Sequence, residues 1–142
     1  MKQPELPDIG DKTDVAKHRL RVAKEDLQAA NLLLEANSYR GANNRAYYAI
    51  FHAVSAVLAM ERVAFKKHKD TLAYFNKNYV ATGHFDKSLG RMLANLQQTR
   101  ETSDYDDFFI ASKEEAEIQC ESAGNIIEAV KQYLNDKYQV EI

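Results

Sequence analysis

The sequence contains few of the residues that interrupt regular secondary structure. It has two prolines, Pro4 and Pro7, and five glycines among its 142 residues, and both prolines fall within the first ten positions. Because proline and glycine are the main helix breakers, this scarcity predicts long helices and few tight turns. The alternating apolar pattern of a strand is also missing. The predicted fold class is therefore all-α.

The sequence also has only one cysteine and a small net charge. The single Cys120 excludes an internal disulfide and is typical of a reducing compartment. The 19 basic and 21 acidic side chains give a net charge of -2, so contact with a nucleic acid would need a local basic patch. No secretion signal is predicted, and the longest apolar run, residues 46–60, is too short to span a bilayer. We expect a cytoplasmic protein without membrane association.

The chain is expected to form one helical domain. Residues 1–12 read as a flexible polar tail, and residues 13–142 as a single domain. Apolar periodicity predicts four helices at about residues 13–37, 43–63, 70–80 and 85–98. A fifth helix starts at the capping box formed by Ser112 and Glu115. Residues 38–42 and 100–111 are predicted to be loops.

The second predicted helix carries two charged or titratable groups in apolar surroundings. It is apolar nearly all round, which places it at the centre of a bundle or against another subunit. Arg45 and His52 are seven residues apart, so they return to within about 20° of one another and share a face with Tyr48. Asn44 precedes Tyr48 by one turn and extends the same polar row.

Burying these groups without partners would be costly, so each needs a carboxylate, water or an anion. The structural interpretation is an ion pair between Arg45 and a carboxylate of another helix, with His52 hydrogen-bonded in the core. The functional interpretation is an anion site. A helix that begins near Asn43 would place Arg45 in its first turn, where the helix dipole disfavours a cation. Helix stability would then not explain the arginine.

A basic run follows this helix. Within residues 62–69, the side chains of Lys66, Lys67 and His68 predict a patch for the RNA backbone, and the alternative is a solvated loop. The carboxylates of the later loop could pair with Arg45 or with this run; they are Asp104, Asp106 and Asp107.

A metal site is not predicted. His52, His68 and His84 are spaced by sixteen residues, which matches no ligand pattern, and no cysteine lies nearby. We expect neither a metal nor another cofactor.

Five segments in order carry a resemblance to a known family. They are NRAYYAIFHA, KKHK, FNKNYVATGHFD, RETSDYDDF and the final capped helix. Together they resemble the HEPN family (higher eukaryotes and prokaryotes nucleotide-binding), in particular its small single-domain prokaryotic members. The likeness extends from about residue 14 to 138. It implies an antiparallel up-and-down bundle of four to five helices that pairs as a homodimer.

The resemblance also implies a chemistry. Active members are metal-independent endoribonucleases with an Arg-x(4–6)-His motif, which Arg45 and His52 match with six residues between them. A histidine can exchange protons with RNA hydroxyls, and a guanidinium can stabilise the phosphorane-like transition state. The implied roles are general acid/base for His52 and phosphate clamp for Arg45, with Asn44 and Tyr48 as supporting groups in a cleft shared by two protomers.

Two functions follow from this resemblance. One is the ribonuclease toxin of a toxin–antitoxin pair, with a nucleotidyltransferase-like partner as antitoxin. The other is a catalytically inactive dimer that binds nucleotide, RNA or a protein. Ala46 stands where many active members have a polar residue, so both remain open. Val54 replaces the tyrosine that the partner modifies in one toxin subgroup, so that modification is not expected.

Overall fold

The computed structural model describes residues 11–105 and 110–141, without the side chains of residues 103–105. Its elements are α1 (Lys12–Glu35), α2 (Tyr39–Ala59), α3 (His68–Phe75), a π-helical segment (Asn76–Val80), α4 (Lys87–Tyr105) and α5 (Lys113–Tyr138). Within these ranges no strand is present, which confirms the all-α class. None of the helices described is long and apolar enough to cross a membrane.

Helix α2 lies at the centre of the bundle. It runs antiparallel to α1, packs against α5, and contacts α3 and α4. Its apolar side chains are therefore buried by helices of the same chain, so its composition does not require a second subunit. The fully enclosed positions include Ala46, Ala49, Ala53, Val54 and Ala56. Small residues here allow the neighbouring helices to approach closely.

The turn between α1 and α2 differs from the prediction. Asn37 adopts the left-handed conformation with φ 62°, and the Ser38 N–H donates to the Leu33 carbonyl at 2.8 Å, which closes α1. Helix α2 then begins at Tyr39, so the loop predicted at 38–42 is wrong. Gly41 is helical, and a Cβ there would lie 3.3 Å from Leu33 Cδ1. Glycine permits the close approach of α1 and α2.

This earlier start changes the interpretation of Arg45. The residue lies in the second turn of α2 rather than in its first. The unfavourable field of the helix dipole is concentrated in the first turn. The argument that helix stability disfavours Arg45 is therefore wrong for this fold.

The later boundaries also shift. Helix α4 continues to Tyr105, so residues 100–105 are helical and not part of a loop. Asp106 and Asp107 lie outside the described residues, as does the side chain of Asp104. The predicted cap of α5 is confirmed, since the Glu115 N–H donates to Ser112 Oγ at 3.1 Å.

A tight turn after α2 reverses the direction of the chain. Arg62 has φ 57°, and the Val63 N–H donates to the Leu58 carbonyl at 3.1 Å, a Schellman arrangement. The following residues lead into α3, whose first residue, His68, packs against α2. The basic run is thus anchored beside the polar face of α2.

Candidate active site

One carboxylate of α1 contacts both predicted motif residues on α2. Arg45 Nη1 lies 3.1 Å from Asp26 Oδ1, and His52 Nε2 lies 3.6 Å from Asp26 Oδ2. The Asp26 side chain is 13% exposed, whereas those of Arg45 and His52 are 37% and 31% exposed. A largely buried acid therefore holds two partly exposed groups at the surface of the α1–α2 pair.

The predicted helical face is present. The Arg45 guanidinium carbon lies 4.9 Å from the centre of the Tyr48 ring. The Tyr48 and His52 rings are stacked at 6.3 Å with their planes 28° apart. Arg45, Tyr48 and His52 form one row, and the ion pair to Asp26 matches the structural interpretation of Arg45. His52 is partly exposed, so it is not sealed in the core.

The surroundings of His52 favour its neutral form. Partial burial lowers the pKa of His52 below its ordinary value of 6.5, and the carboxylate of Asp26 opposes this effect. The positive charges of Arg19 and Arg45 act in the same direction as burial. At neutral pH the imidazole therefore has a free nitrogen that can accept a proton.

A groove runs beside His52. It encloses about 250 Å³ and is lined by His52, Arg19, Phe51 and Ser55, among others. Arg19 Nη1 donates to the carbonyl oxygen of Ser55 at 3.0 Å, which fixes the guanidinium next to the groove. The groove thus has a proton acceptor and a held cation on its wall.

His68 belongs to an aromatic cluster rather than to a solvated loop. Its ring stacks on Phe51 with centroids 3.9 Å apart, and Tyr47 Oη lies 3.2 Å from its Nδ1. Burial lowers the pKa of His68, and the charge of Arg100 adds to that effect. Among the predicted basic residues, His68 is therefore packed close to His52.

Lys66 and Lys67 are different, because both are exposed and Lys67 is the N-cap residue of α3. They lie next in sequence to the packed His68. Their ammonium groups are accessible to solvent on this part of the surface.

Arg100 connects the row on α2 to α4. Its Nη2 donates to Tyr48 Oη at 3.3 Å, and its guanidinium carbon lies 4.2 Å from the centre of the Tyr47 ring. Sequence reasoning missed Arg100, Asp26 and Arg19 as neighbours of the motif. Arg100 stood in a predicted loop, and α1 carries polar residues along most of its exposed side, so no local pattern singled out Asp26 or Arg19.

Asn44 occupies a separate position. It is exposed and lines a second cavity with Arg40, Asn43 and Arg100, on the side of Tyr48 away from Asp26. Within the described ranges, no group of three or more histidine, cysteine, aspartate or glutamate side chains is placed to hold a metal ion.

Comparison with known proteins defines the class. The HEPN domain matches residues 16–133, so the chain belongs to the HEPN domain family. A protein of Thermotoga maritima named UPF0332 protein is 32% identical over 128 residues, covering 90% of this chain and 97% of that protein.

Two proteins of Methanocaldococcus jannaschii are also similar. The one named "Putative toxin MJ0605" is 32% identical, over 82% of this chain and 87% of its own. The one named "Putative toxin MJ0142" is 31% identical, over 81% of this chain and 78% of its own. The similarity extends over most of the bundle in each case.

Proposed function

We propose that this protein is a metal-independent endoribonuclease that acts as a homodimer, with Arg45 and His52 of two protomers facing a common cleft. The observation that carries the proposal is that Arg45 and His52 stand on one face of α2 and that each side chain stays about one-third exposed. If the Arg45–Asp26 ion pair served only to stabilise the bundle, a partly exposed histidine beside it would have no role. The toxin designation of the relatives supports a toxin-like role.

The chemistry follows from the protonation state of His52. A neutral imidazole accepts the proton of the RNA 2′-hydroxyl as the oxygen attacks the adjacent phosphorus. The imidazolium so formed then donates that proton to the departing 5′-oxygen, leaving a 2′,3′-cyclic phosphate. Negative charge gathers on the phosphoryl oxygens in between, and the guanidinium groups of Arg45 and Arg19 stabilise it.

The test is RNA cleavage in EDTA by the wild-type protein and by Arg45→Ala and His52→Ala. We expect His52→Ala to reduce the rate by about 10²–10⁴-fold, the usual contribution of a general acid–base group. Arg45→Ala should reduce it by about 10²–10³-fold, the usual contribution of one group that stabilises the charge of the transition state. Matched controls are Arg21→Ala and His84→Ala, which remove exposed residues of the same types outside the row. Equal cleavage by all variants would assign the activity to a contaminant or another site.

The dimer is tested separately. Light scattering at micromolar concentration should give the mass of two chains, or about twice 16.2 kDa. A monomer with full activity would contradict the shared cleft while leaving the motif in place.

The toxin role predicts that expression of the wild-type protein stops growth and that His52→Ala does not. Co-expression of a nucleotidyltransferase-like antitoxin should restore growth. Because Val54 carries no hydroxyl for modification, the restoring interaction would be binding or modification elsewhere. Growth arrest by His52→Ala would contradict a ribonuclease toxin.

An inactive binding module is the second candidate. The pairing of Arg45 with Asp26 favours it, because a guanidinium held by an internal carboxylate is less available to a phosphate. Binding of RNA in EDTA without cleavage, by a folded dimer, would select this candidate.

A further inference from the structure

A second polar cavity lies on the opposite side of Tyr48 from Asp26. It encloses about 350 Å³, within the ~300–1,000 Å³ typical of small-molecule sites. Residues of three helices line it: Arg40, Gly41, Asn43 and Asn44 from α2, Leu96, Thr99 and Arg100 from α4, and Gln119 from α5. It is therefore built by the tertiary fold and not by one helix end.

The inner wall of this cavity carries amide groups without partners. Asn43 is 7% exposed, and among the residues that the structure describes nothing pairs with its Oδ1 or its Nδ2. Gln119 is 1% exposed; its Nε2 donates to Thr99 Oγ1 at 3.2 Å, while its Oε1 has no partner in the same described part of the chain. Leaving buried polar groups unpaired is costly, and cores normally avoid it.

The rim supplies a different chemistry. Arg40 and Asn44 are exposed at the edge of the cavity, and Arg100 lines it with a guanidinium that also contacts Tyr48. A ligand that enters would place a polar flat group against the amides and an anionic group near the arginines. Leu96 offers an apolar wall for a planar ring.

We propose that this cavity binds an amino-bearing nucleobase, that is adenine, cytosine or guanine, with its phosphate at the rim. The unpaired inner groups are two accepting oxygens, from Asn43 and Gln119, and one donating amide of Asn43. An exocyclic amino group with a neighbouring ring acceptor or donor complements them, whereas uracil has no amino group.

The base can come from a free nucleotide or from an RNA strand. The strand is the source that fits the site already described, because Arg100 bridges the cavity to Tyr48 and so to the row that ends in His52. That role, as a pocket for one unstacked base beside the cleavage point, rests on the proposed ribonuclease function. Binding of the base itself does not.

The experiment measures binding to the full-length protein by NMR titration and calorimetry. The probes are AMP, CMP, GMP and UMP, and uncleavable 2′-O-methyl tetramers of A and of U. We expect the amino-bearing probes to bind at least about tenfold more tightly than their uracil counterparts, and to shift the side-chain amide signals of Asn43 and Gln119.

The variants are Asn43→Leu and Gln119→Met, which keep volume and remove hydrogen-bonding groups, with the exposed Asn135→Leu as control. Loss of the A-over-U preference in the first two, with the control unchanged, supports the pocket. Equal affinity for A and U probes, or unchanged binding in both variants, overturns it and leaves a hydrated cavity.

The two proposals fail separately. Binding of mononucleotides but not of tetramers supports a free-nucleotide site and overturns the strand pocket. Cleavage with a preference that Asn43→Leu does not alter overturns the strand pocket alone. If the protein binds amino-bearing probes specifically but does not cleave RNA in EDTA, the proposed ribonuclease function is wrong and the proposed nucleobase site is retained.

Discussion

The two polar regions that flank Tyr48 on α2 differ in whether their buried polar groups have partners within the described chain. On the α1 side, Asp26 contacts both Arg45 and His52, so the charges are matched inside the chain. On the α4–α5 side, the amide of Asn43 has no partner within residues 11–105 and 110–141. A paired polar cluster stabilises the fold, whereas an unpaired one lowers stability and needs a ligand or water to compensate.

Removing the central carboxylate should have the largest effect on stability. Asp26→Asn leaves Arg45 without its ion-pair partner and should lower the free energy of unfolding by about 1–2 kcal/mol, since Arg45 retains some solvent. Urea denaturation provides the measurement. Glu25→Gln, an exposed neighbour on α1, is the control and should stay within about 0.5 kcal/mol of wild type. Equal effects of the two variants would remove the distinction between the regions.

His52 and His68, which both contact Phe51, should also make stability depend on pH. The pKa values of His52 and His68 are lowered in the folded protein, so between those values and 6.5 the unfolded chain binds more protons. The free energy of unfolding should therefore fall as the pH drops below 6.5 and level off below the folded pKa values.

His52→Gln should flatten part of this dependence, which chemical denaturation at several pH values would measure. The exposed His84→Gln is the control. NMR titration of the imidazole signals gives the pKa of His52 directly. A pKa above 6.5 would mean that the Asp26 carboxylate outweighs burial, and the slope would then reverse.

The connection between the regions can be tested at Arg100. Arg100→Lys keeps the charge but removes the flat guanidinium that covers Tyr47 and donates to Tyr48. We expect a loss of about 0.5–1 kcal/mol in the free energy of unfolding. The exposed Arg91→Lys on the same helix is the control. If the two variants unfold alike, the contacts of the Arg100 guanidinium with Tyr47 and Tyr48 do not stabilise the fold.

Substitution in the unpaired region should change the free energy of unfolding least, and the sign of that change is the informative result. Asn43→Leu removes no hydrogen bond observed among the described residues and buries an apolar group in its place. The free energy of unfolding should stay the same or rise by up to about 1 kcal/mol. Thermal denaturation without ligand is the measurement. A loss above about 1 kcal/mol would show that the amide is already satisfied in the folded chain.

Much of the fold was predictable from local pattern. The spacing of six apolar residues on α1 predicts one stripe: Ala16, Leu20, Ala23, Leu27, Ala30 and Leu34. Leu27 and Leu34 are partly buried against the core, and the other four are buried. The stripe predicted on α5 is Ala116, Cys120, Ala123, Ile127, Val130, Leu134 and Tyr138. All of it is buried except Tyr138, which is partly buried, and Ser112 caps that helix. Boundaries that depend on contacts between helices were missed. Gly41 lies in the predicted loop, yet it is helical, and its missing side chain lets α1 pack closely against α2.

The candidate site likewise has a part that local pattern predicts and a part that depends on helix packing. Periodicity alone placed Arg45, Tyr48 and His52 on one face, because a helix returns to nearly the same direction every seven residues. It could not choose the carboxylate that meets Arg45, since that depends on how α1 aligns with α2. Asp26 lies nineteen residues earlier in the chain, and Arg100 reaches Tyr48 across fifty-two.

The helical class, the core stripes and the shared face of the motif follow from local sequence, because each rests on interactions within a few residues. Which polar groups are paired and which are not depends on how the helices pack together. Asp26 meets Arg45 and His52 through the antiparallel alignment of two helices, and the amides of Asn43 and Gln119 come to one cavity through the packing of three. Such contacts join distant parts of the chain, so only the packing of the bundle fixes them.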